Sequence, residues 1–292
     1  MNQLSTCRYC GRLFSPADLA TIRQIIAADP NRTRAHISRL VCQALGWYKP
    51  DGGLKDMSCR VALLRMQKDG LITLPAPRHL QSACRPRIHF TAHTEPGTLI
   101  MAPVHALPEI HLQVLTRPEH KLLWREYIQR YHYLGYTPLP GAQLRYFARA
   151  HGQIVALLGF GAAAWKTAPR DHFIGWTPEQ RQQRLPLVVN NARFLILPWV
   201  ASKNLASKLL ALVARRLPED WRQCYGYRPV LLSTFVETTR FQGTCYKAAN
   251  WVYVGQTKGR GKLDVHNTAT LPPKDIWLYP LSPQFRQILC AP

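Results

Sequence analysis

Acidic residues are scarce in this chain: 16 Asp and Glu stand against 38 Lys and Arg, a formal charge of +22 over 292 residues. That deficit argues against a protein that handles only small neutral ligands. Its usual cause is a polyanionic partner, because each neutralised phosphate releases counterions and adds affinity. Double-stranded DNA is the expected partner. Long apolar runs are missing too. None reaches the length needed to span a bilayer, so no membrane partner is expected. The opening MNQLSTCRYCGRLF lacks the apolar core of a signal peptide, which points to the cytoplasm. A disulfide framework is lacking as well. The eight cysteines are scattered, and Cys42, Cys59 and Cys245 sit in apolar runs, as reduced packed thiols do. Cys7-Arg-Tyr-Cys10-Gly11 has the form of half a zinc knuckle. A second CxxC is missing, and the nearest candidates, His36, Cys42 and Cys59, fall inside predicted helices. An ordinary thiol pair is expected there, not a structural zinc site.

What is present divides into two parts. Residues 13–77 read as three helices and a short hairpin. Ser15-Pro16-Ala17-Asp18 is a capping box with proline at the first helical position, followed by Leu19, Ile22, Ile25 and Ile26 at helical spacing. Thr33 caps a second helix carrying Ile37, Leu40, Val41 and Leu45. Asp56 caps a third, which Gly70 ends, and Leu71–Pro75 reads as a strand. Helices followed by a strand are the order of a winged helix-turn-helix, whose third helix enters the major groove. Arg39, Lys55 and Arg60 are the candidate DNA-binding residues on these helices; a packing module with solvated charges is the bland alternative. Residues 78–115, rich in Pro, His, Arg and Thr, read as a linker or an arm laid along DNA.

Residues 116–292 read as a mixed α/β sheet domain, so the fold class expected for the chain is α+β. Glu119–Tyr131 is a helix with Leu122, Leu123, Tyr127 and Ile128 inward. Two strands, 144–150 and 153–160, meet at His151-Gly152. A polar insertion, 165–184, precedes an apolar strand at 187–200. A helix from Asn204 to Leu217, a strand at 230–236, a helix at 239–248 and a final strand at 251–255 follow.

Lys203-Asn204-Leu205-Ala206-Ser207 is a basic residue, a tight turn and a helix start. Backbone N–H groups at such a helix N-terminus bind pyrophosphate, and the helix dipole favours anions. Further on, Cys245-Tyr246-Lys247 ends a helix with a tyrosine before a turn and a strand. In that order the two stretches resemble the cofactor-binding and closing halves of a GNAT acyltransferase. The resemblance implies an acyl-CoA site at 203–207 and Tyr246 as a general acid facing the thioester sulfur. Asn204 and Ala206 replace the two glycines of the family pattern, and Asn250-Trp251 replaces Gly-Phe. Glu237 is the best candidate base and Asp171 the second; with His132 they could instead hold a divalent metal for phosphodiester hydrolysis. Polar side chains on an apolar strand need partners, so Asn190, Asn191 and Arg193 are expected to line a pocket, with Arg193 able to clamp a phosphate. Gln256–Lys262 is a basic, glycine-rich loop in which Lys258, Arg260 and Lys262 contact phosphates or simply face water. Trp165, Trp176, Trp199, Tyr131, Tyr133 and Tyr136 supply aromatic faces that could stack an extruded base, although most are expected in the core.

Longer stretches carry a wider resemblance: GGLKDMSCR…GLITLP (Gly52 to Pro75), RYHYLGYTPLPGAQLRY (Arg130 to Tyr146), LGFGAAAWK with RDHFIGW, NNARFLILPWV, and TFVETTRFQGTCYKAANWVYVGQTKGRGK. With these the chain resembles the DruA family, named for an anti-phage system and also found beside transposase genes. More distantly it is similar to Mom-type phage enzymes that modify DNA bases. The resemblance implies a role on DNA in defence or mobile-element biology, with defence or transposition proteins as partners. The first expectation is group transfer to a base by the GNAT-like core. The alternatives are strand cleavage or transfer, by metal-bound carboxylates or a tyrosine nucleophile, and a non-catalytic DNA-recognition subunit.

Overall fold

The structure, a computed structural model, describes residues 6–49, 52–77, 88–150, 152–260, 269 and 271–291. The chain forms two compact units, Met1–Pro86 and Arg87–Pro292.

In the first unit, β1 (Cys7–Tyr9) and β2 (Arg12–Phe14) form an antiparallel hairpin. Its turn is made by Cys10 and Gly11, both with positive φ (49° and 81°), as a tight two-residue turn requires. The cysteine pair, expected to be an ordinary thiol pair and not half a zinc site, lies in this hairpin, which the sequence reading does not include. Helix α1 (Pro16–Ala27) starts at the expected box: Asp18 N–H donates to Ser15 Oγ at 3.1 Å, and Ser15 N–H donates to Asp18 Oδ2 at 2.9 Å. Helix α2 (Arg34–Ala44) is capped by Thr33, whose Oγ1 accepts from His36 N–H. Helix α3 (Asp56–Lys68) begins one residue earlier than expected: Lys55 is the cap and makes no side-chain cap bond, while Asp56 turns to pair with Arg60. Ile22, Ile37, Val41, Leu63 and Met66 close the core.

The expected strand at Leu71–Pro75 is extended chain without a ladder. Its carbonyls are taken by side chains instead. Arg23 donates to Leu71 O, and Arg34 Nε donates to Pro75 O at 2.7 Å. Ile72 and Leu74 still point into the core. Among the described residues of the first unit no strand follows α3, so the sheet of a winged helix is not seen there.

The second unit holds seven strands in one sheet. They are β3 (His111–Val114), β4 (Gln143–Ala150), β5 (Gln153–Ala162), β6 (Val188–Ile196), β7 (Leu231–Glu237), β8 (Val252–Gln256) and β9 (Lys274–Pro280), in the order 3-4-5-6-7-9-8. Among the described strand pairs, β6 with β7 is parallel and the others are antiparallel. Strand β3 lies inside the stretch expected as a linker. Strand β9 follows the strand expected to be last and inserts between β7 and β8.

Helix α4 (Pro118–Tyr131) buries Trp124, Tyr127 and Ile128; Leu122, expected inward, is 57% exposed. The polar insertion forms two short helices, α5 (Ala168–Ile174) and α6 (Pro178–Arg184). Helix α7 (Leu205–Tyr225) does not stop before Pro218 as expected. Its apolar stripe, Leu209, Leu210, Val213, Leu217 and Trp221, stays on the sheet on both sides of the proline, so burial outweighs the one lost hydrogen bond. Helix α8 (Thr244–Ala248) is shorter than predicted, and α9 (Phe285–Leu289) closes the unit.

Candidate functional site

The site grows out of one irregularity in the sheet. The parallel ladder of β6 and β7 runs from Val188↔Leu231 to Asn191↔Thr234 and ends there. Beyond it β6 stays paired to β5 as far as Ile196, while β7 stays paired to β9 as far as Glu237. The two strands therefore part, and a cleft of about 740 Å³ lies between Arg193–Ile196 on one side and Thr234–Val236 on the other. The backbone edges that face each other across the cleft have lost their ladder partners, so they can bond an inserted chain. A bulge sits at the split: Gly159 pairs with Arg193 and Phe160 with Asn191, which leaves Ala192 as the extra residue. Glycine is required opposite the bulge, because a Cβ on Gly159 would lie 3.0 Å from the Trp124 ring and 3.3 Å from Arg193 Cβ.

At the closed end of the split a hydrogen-bonded group ties the strands together. Tyr246 Oη–H donates to Asn191 Oδ1 at 2.9 Å, and Thr234 Oγ1–H donates to the Tyr246 oxygen at 3.4 Å. Asn191 Nδ2 donates to the carbonyls of Gly159 and Arg193 at 3.3 and 3.2 Å. The expectation that Asn191 needs partners on an apolar strand is met in full. Burial pushes the Tyr246 phenol far above its ordinary pKa, so it holds its proton at any working pH. Asn190 also lines the cleft, and its amide oxygen accepts from Ser233 Oγ at 3.2 Å.

The N-terminus of α7 supplies the mouth. Asn204 takes the left-handed conformation (φ 66°), as a glycine would. Asn250, which stands in the other glycine position, does the same at φ 62°. Lys203 and Asn204 are exposed, Leu205 is buried and Ala206 lines the cleft. Ser207 Oγ turns back to donate to Asn204 O.

His132 lines the same cleft, beside Arg193. Its ring stacks on Tyr133 with centroids 4.9 Å apart, and its Nδ1 accepts the Leu134 N–H at 3.2 Å. Burial, with the Arg193 guanidinium beside it, brings its pKa down to about 4. Phe241, absent from the sequence-based candidates, packs on Tyr133 at 5.4 Å. Both rings are exposed at the rim. The other aromatic candidates divide: Trp176 and Trp199 are buried, Tyr131 donates its hydroxyl to Thr94 O, and Trp165 is exposed under Arg181.

The two candidate carboxylates do not reach the cleft lining. Glu237 is held at the end of β7 by Arg240 at 3.5 Å and Lys274 at 4.0 Å. Asp171 accepts from Arg170 at 2.7 Å, from Arg181 at 3.3 Å and from Thr167 N–H. Arg170 is 1% exposed, so Asp171 is the counter-charge of a buried guanidinium. Among the described residues no three His, Cys, Asp or Glu side chains gather as a metal site. His132, Asp171 and Glu237 are thus not brought together.

The basic candidates are scattered over both units. Arg39 Nε bonds Ala35 O, and Arg60 pairs with Asp56 at 3.0 Å. Lys55 is part-exposed beside them. The exposed side of α3 is partly apolar, with Met57, Val61 and Leu64. Lys258 and Arg260 are exposed after β8, on a loop closed by Leu271 N–H donating to Gly259 O. Lys262 lies outside the described residues. No described helix is long and apolar enough to cross a membrane.

A family model described as Druantia protein DruA matches residues 65–271. No curated protein matches. Among solved structures, the chain is similar to the aminoglycoside acetyltransferase AAC(6')-Ib bound to coenzyme A, with 15% identity over 59% of this chain and 95% of that one, at a TM-score of 0.38. It is similar to an acetyltransferase of the GNAT family from Streptococcus pneumoniae, with 12% identity over 60% and 100% of the two chains and a TM-score of 0.39. It is also similar to the polyamine N-acetyltransferase of Drosophila melanogaster, at 12% identity, 59% and 100% coverage and a TM-score of 0.37. These likenesses are too distant to say what the chain binds or catalyses.

Proposed function

The chain belongs to the Druantia DruA family, and from that premise we propose that it is a DNA-binding defence protein whose second unit transfers a group from an acyl-CoA-type donor to a DNA base. The observation that carries this reading is the parting of β6 and β7 after Asn191 and Thr234. A slot between two unpaired strand edges suits an extended, amide-bearing chain such as pantetheine, which would replace the missing ladder bonds. The N-terminus of the 21-residue helix α7 opens at the same cleft through Ala206, where first-turn N–H groups beyond Leu205 and the helix dipole favour a pyrophosphate. Lys203 adds a cation beside it. The donor's residues therefore fit: Lys203–Ser207 for the pyrophosphate, Arg193–Ile196 and Thr234–Val236 for the chain. When bound, such a donor would supply an activated acyl thioester.

The protein's own residues then divide the work. Tyr246, protonated and lining the cleft beside Asn191 and Thr234, would give a proton to a departing thiolate by turning its O–H away from Asn191 Oδ1. Phe241 offers an exposed ring for a base taken out of the duplex, beside Tyr133, whose own ring is stacked on His132 and lies under Arg240. The charge of +22, with Arg39, Lys55 and Arg60 on the first unit and Lys258 and Arg260 on the second, supports a grip on the phosphate backbone. The three helices support a helix-turn-helix type of contact.

Calorimetry with acetyl-CoA tests the donor. One site is expected, and Ala206→Glu should abolish it: a first-turn carboxylate suits the helix dipole but repels pyrophosphate. If the wild-type protein does not bind acetyl-CoA, the transfer reading fails. Nicking of supercoiled plasmid with magnesium would favour strand cleavage instead, and duplex binding with neither activity would leave a recognition subunit. If duplex affinity does not change between low and high salt, the DNA partner is wrong.

A further inference from the structure

The cleft has an uneven polar inventory. Asn191 spends its oxygen on Tyr246 and its amide hydrogens on two carbonyls. Asn190 spends its oxygen on Ser233 Oγ, so what it keeps to offer is its NH2 group. Arg193 uses one guanidinium nitrogen on Ala192 O at 2.7 Å, and among the described residues it has no carboxylate partner. Glu237, whose charge acts on Tyr133, is already bound to Arg240 and Lys274.

His132 completes the pattern. A neutral imidazole has one N–H and one bare nitrogen. The Leu134 N–H points at Nδ1, 3.2 Å away, so Nδ1 is the bare nitrogen and the hydrogen sits on Nε2. His132 therefore faces a ligand as a donor. Offering Nε2 to a metal would require the other tautomer and the loss of the Leu134 N–H bond. Arg193 lies close enough to oppose protonation of the ring, so the two donors share one wall. Tyr133, stacked on His132, feels Glu237, Arg193 and Arg240 from the neighbouring elements.

Side chains that offer hydrogen-bond donors while their own acceptors are engaged favour a ligand rich in acceptors. We propose that His132 and Arg193 form an oxyanion subsite on the acceptor side of the cleft, which takes a phosphodiester of the nucleic acid next to the base being modified. The proposal rests on the group-transfer reading for the word acceptor, while the subsite itself depends only on this wall. Arg193 supplies charge and a planar fork for two oxygens; His132 supplies one uncharged N–H that does not compete for a proton. Such a contact fixes the strand relative to Tyr246.

The test is NMR with 15N-labelled side chains at pH 7, without coenzyme or duplex. The probes are inorganic phosphate, a dinucleoside phosphodiester and acetate. The His132 ring should show the Nε2–H tautomer. Phosphate and the diester should shift both Arg193 Nε–H and His132 Nε2, and acetate should bind at least tenfold more weakly. Arg193→Gln should weaken the diester at least tenfold, and Arg193→Lys, which keeps the charge but not the fork, should fall between. An Nδ1–H tautomer, phosphate shifts confined to the start of α7, or a diester affinity unchanged in both Arg193 variants would each overturn the proposal. A free phosphate that binds while the diester does not would also overturn it, since the wall would then be closed to nucleic acid. Acetyl-CoA binding is measured separately, so failure of the donor reading and failure of this subsite cannot be confused.

Discussion

Replacing His132 probes this wall without any substrate. In the folded chain burial and Arg193 hold the ring neutral down to about pH 4, while in the unfolded chain the same ring takes up a proton near 6.5. Between those values the unfolded state binds a proton that the folded state refuses, so the stabilising contribution is complete above pH 6.5 and disappears as the pH falls towards 4. A gap of that width corresponds to at most about 3 kcal/mol. His132 is only part-buried, and water screening brings the expected effect to roughly 1–2 kcal/mol. Urea unfolding at pH 7.5 and at pH 4.5 measures it. Tryptophan fluorescence is a suitable signal, because every tryptophan except Trp47 lies in the second unit. The loss of stability between the two pH values should be smaller in His132→Gln than in the wild type by that amount. Equal losses in both proteins would show that the ring titrates normally and that the reasoning about a neutral donor is wrong.

Three further expectations concern the frame around the cleft. Tyr246→Phe removes the donor to the buried Asn191 oxygen, which should cost about 1–2 kcal/mol in urea unfolding and, in a transfer assay, lower kcat more than raise KM. Asp171→Asn leaves the 1%-exposed Arg170 without its counter-charge and should cost about 3–5 kcal/mol; a variant with wild-type melting would mean that Asp171 has no structural duty. Gly243→Ala puts a Cβ 2.9 Å from the Trp277 ring at a residue with φ 70°. It should destabilise the second unit by about 1–3 kcal/mol and change the near-UV circular dichroism of that indole.

Much of the local structure was legible because it depends on short-range chemistry. Ser15 with Asp18 and Thr33 before Arg34 fix two helix starts through bonds three residues long. The turn at His151-Gly152 between the runs 144–150 and 153–160 marks a hairpin, and Asn204 and Asn250 stand in for glycine because asparagine tolerates positive φ. Where reading failed, a distant partner decided the outcome. Leu71–Pro75 has the residues of a strand, but Arg23 and Arg34 occupy its carbonyls in place of a neighbouring strand. Pro218 signals a helix end, yet Leu217 and Trp221 on the same apolar stripe hold α7 together across it. Asp171 and Glu237 have the chemistry of catalytic acids, and only their arginine and lysine partners show that both are engaged elsewhere.

By itself the sequence determined the charge, the order of most elements, the capping of the helices and the family, since each rests on residue identity or on neighbours a few positions apart. The cleft is different. It exists because β6 follows β5 while β7 follows β9, and no run of residues announces where two strands distant in the chain will part. The company of His132, Arg193, Asn191 and Tyr246, and hence which of their polar atoms remain free to meet a ligand, was set by that parting, because hydrogen bonds between distant segments are chosen only when the chain has folded.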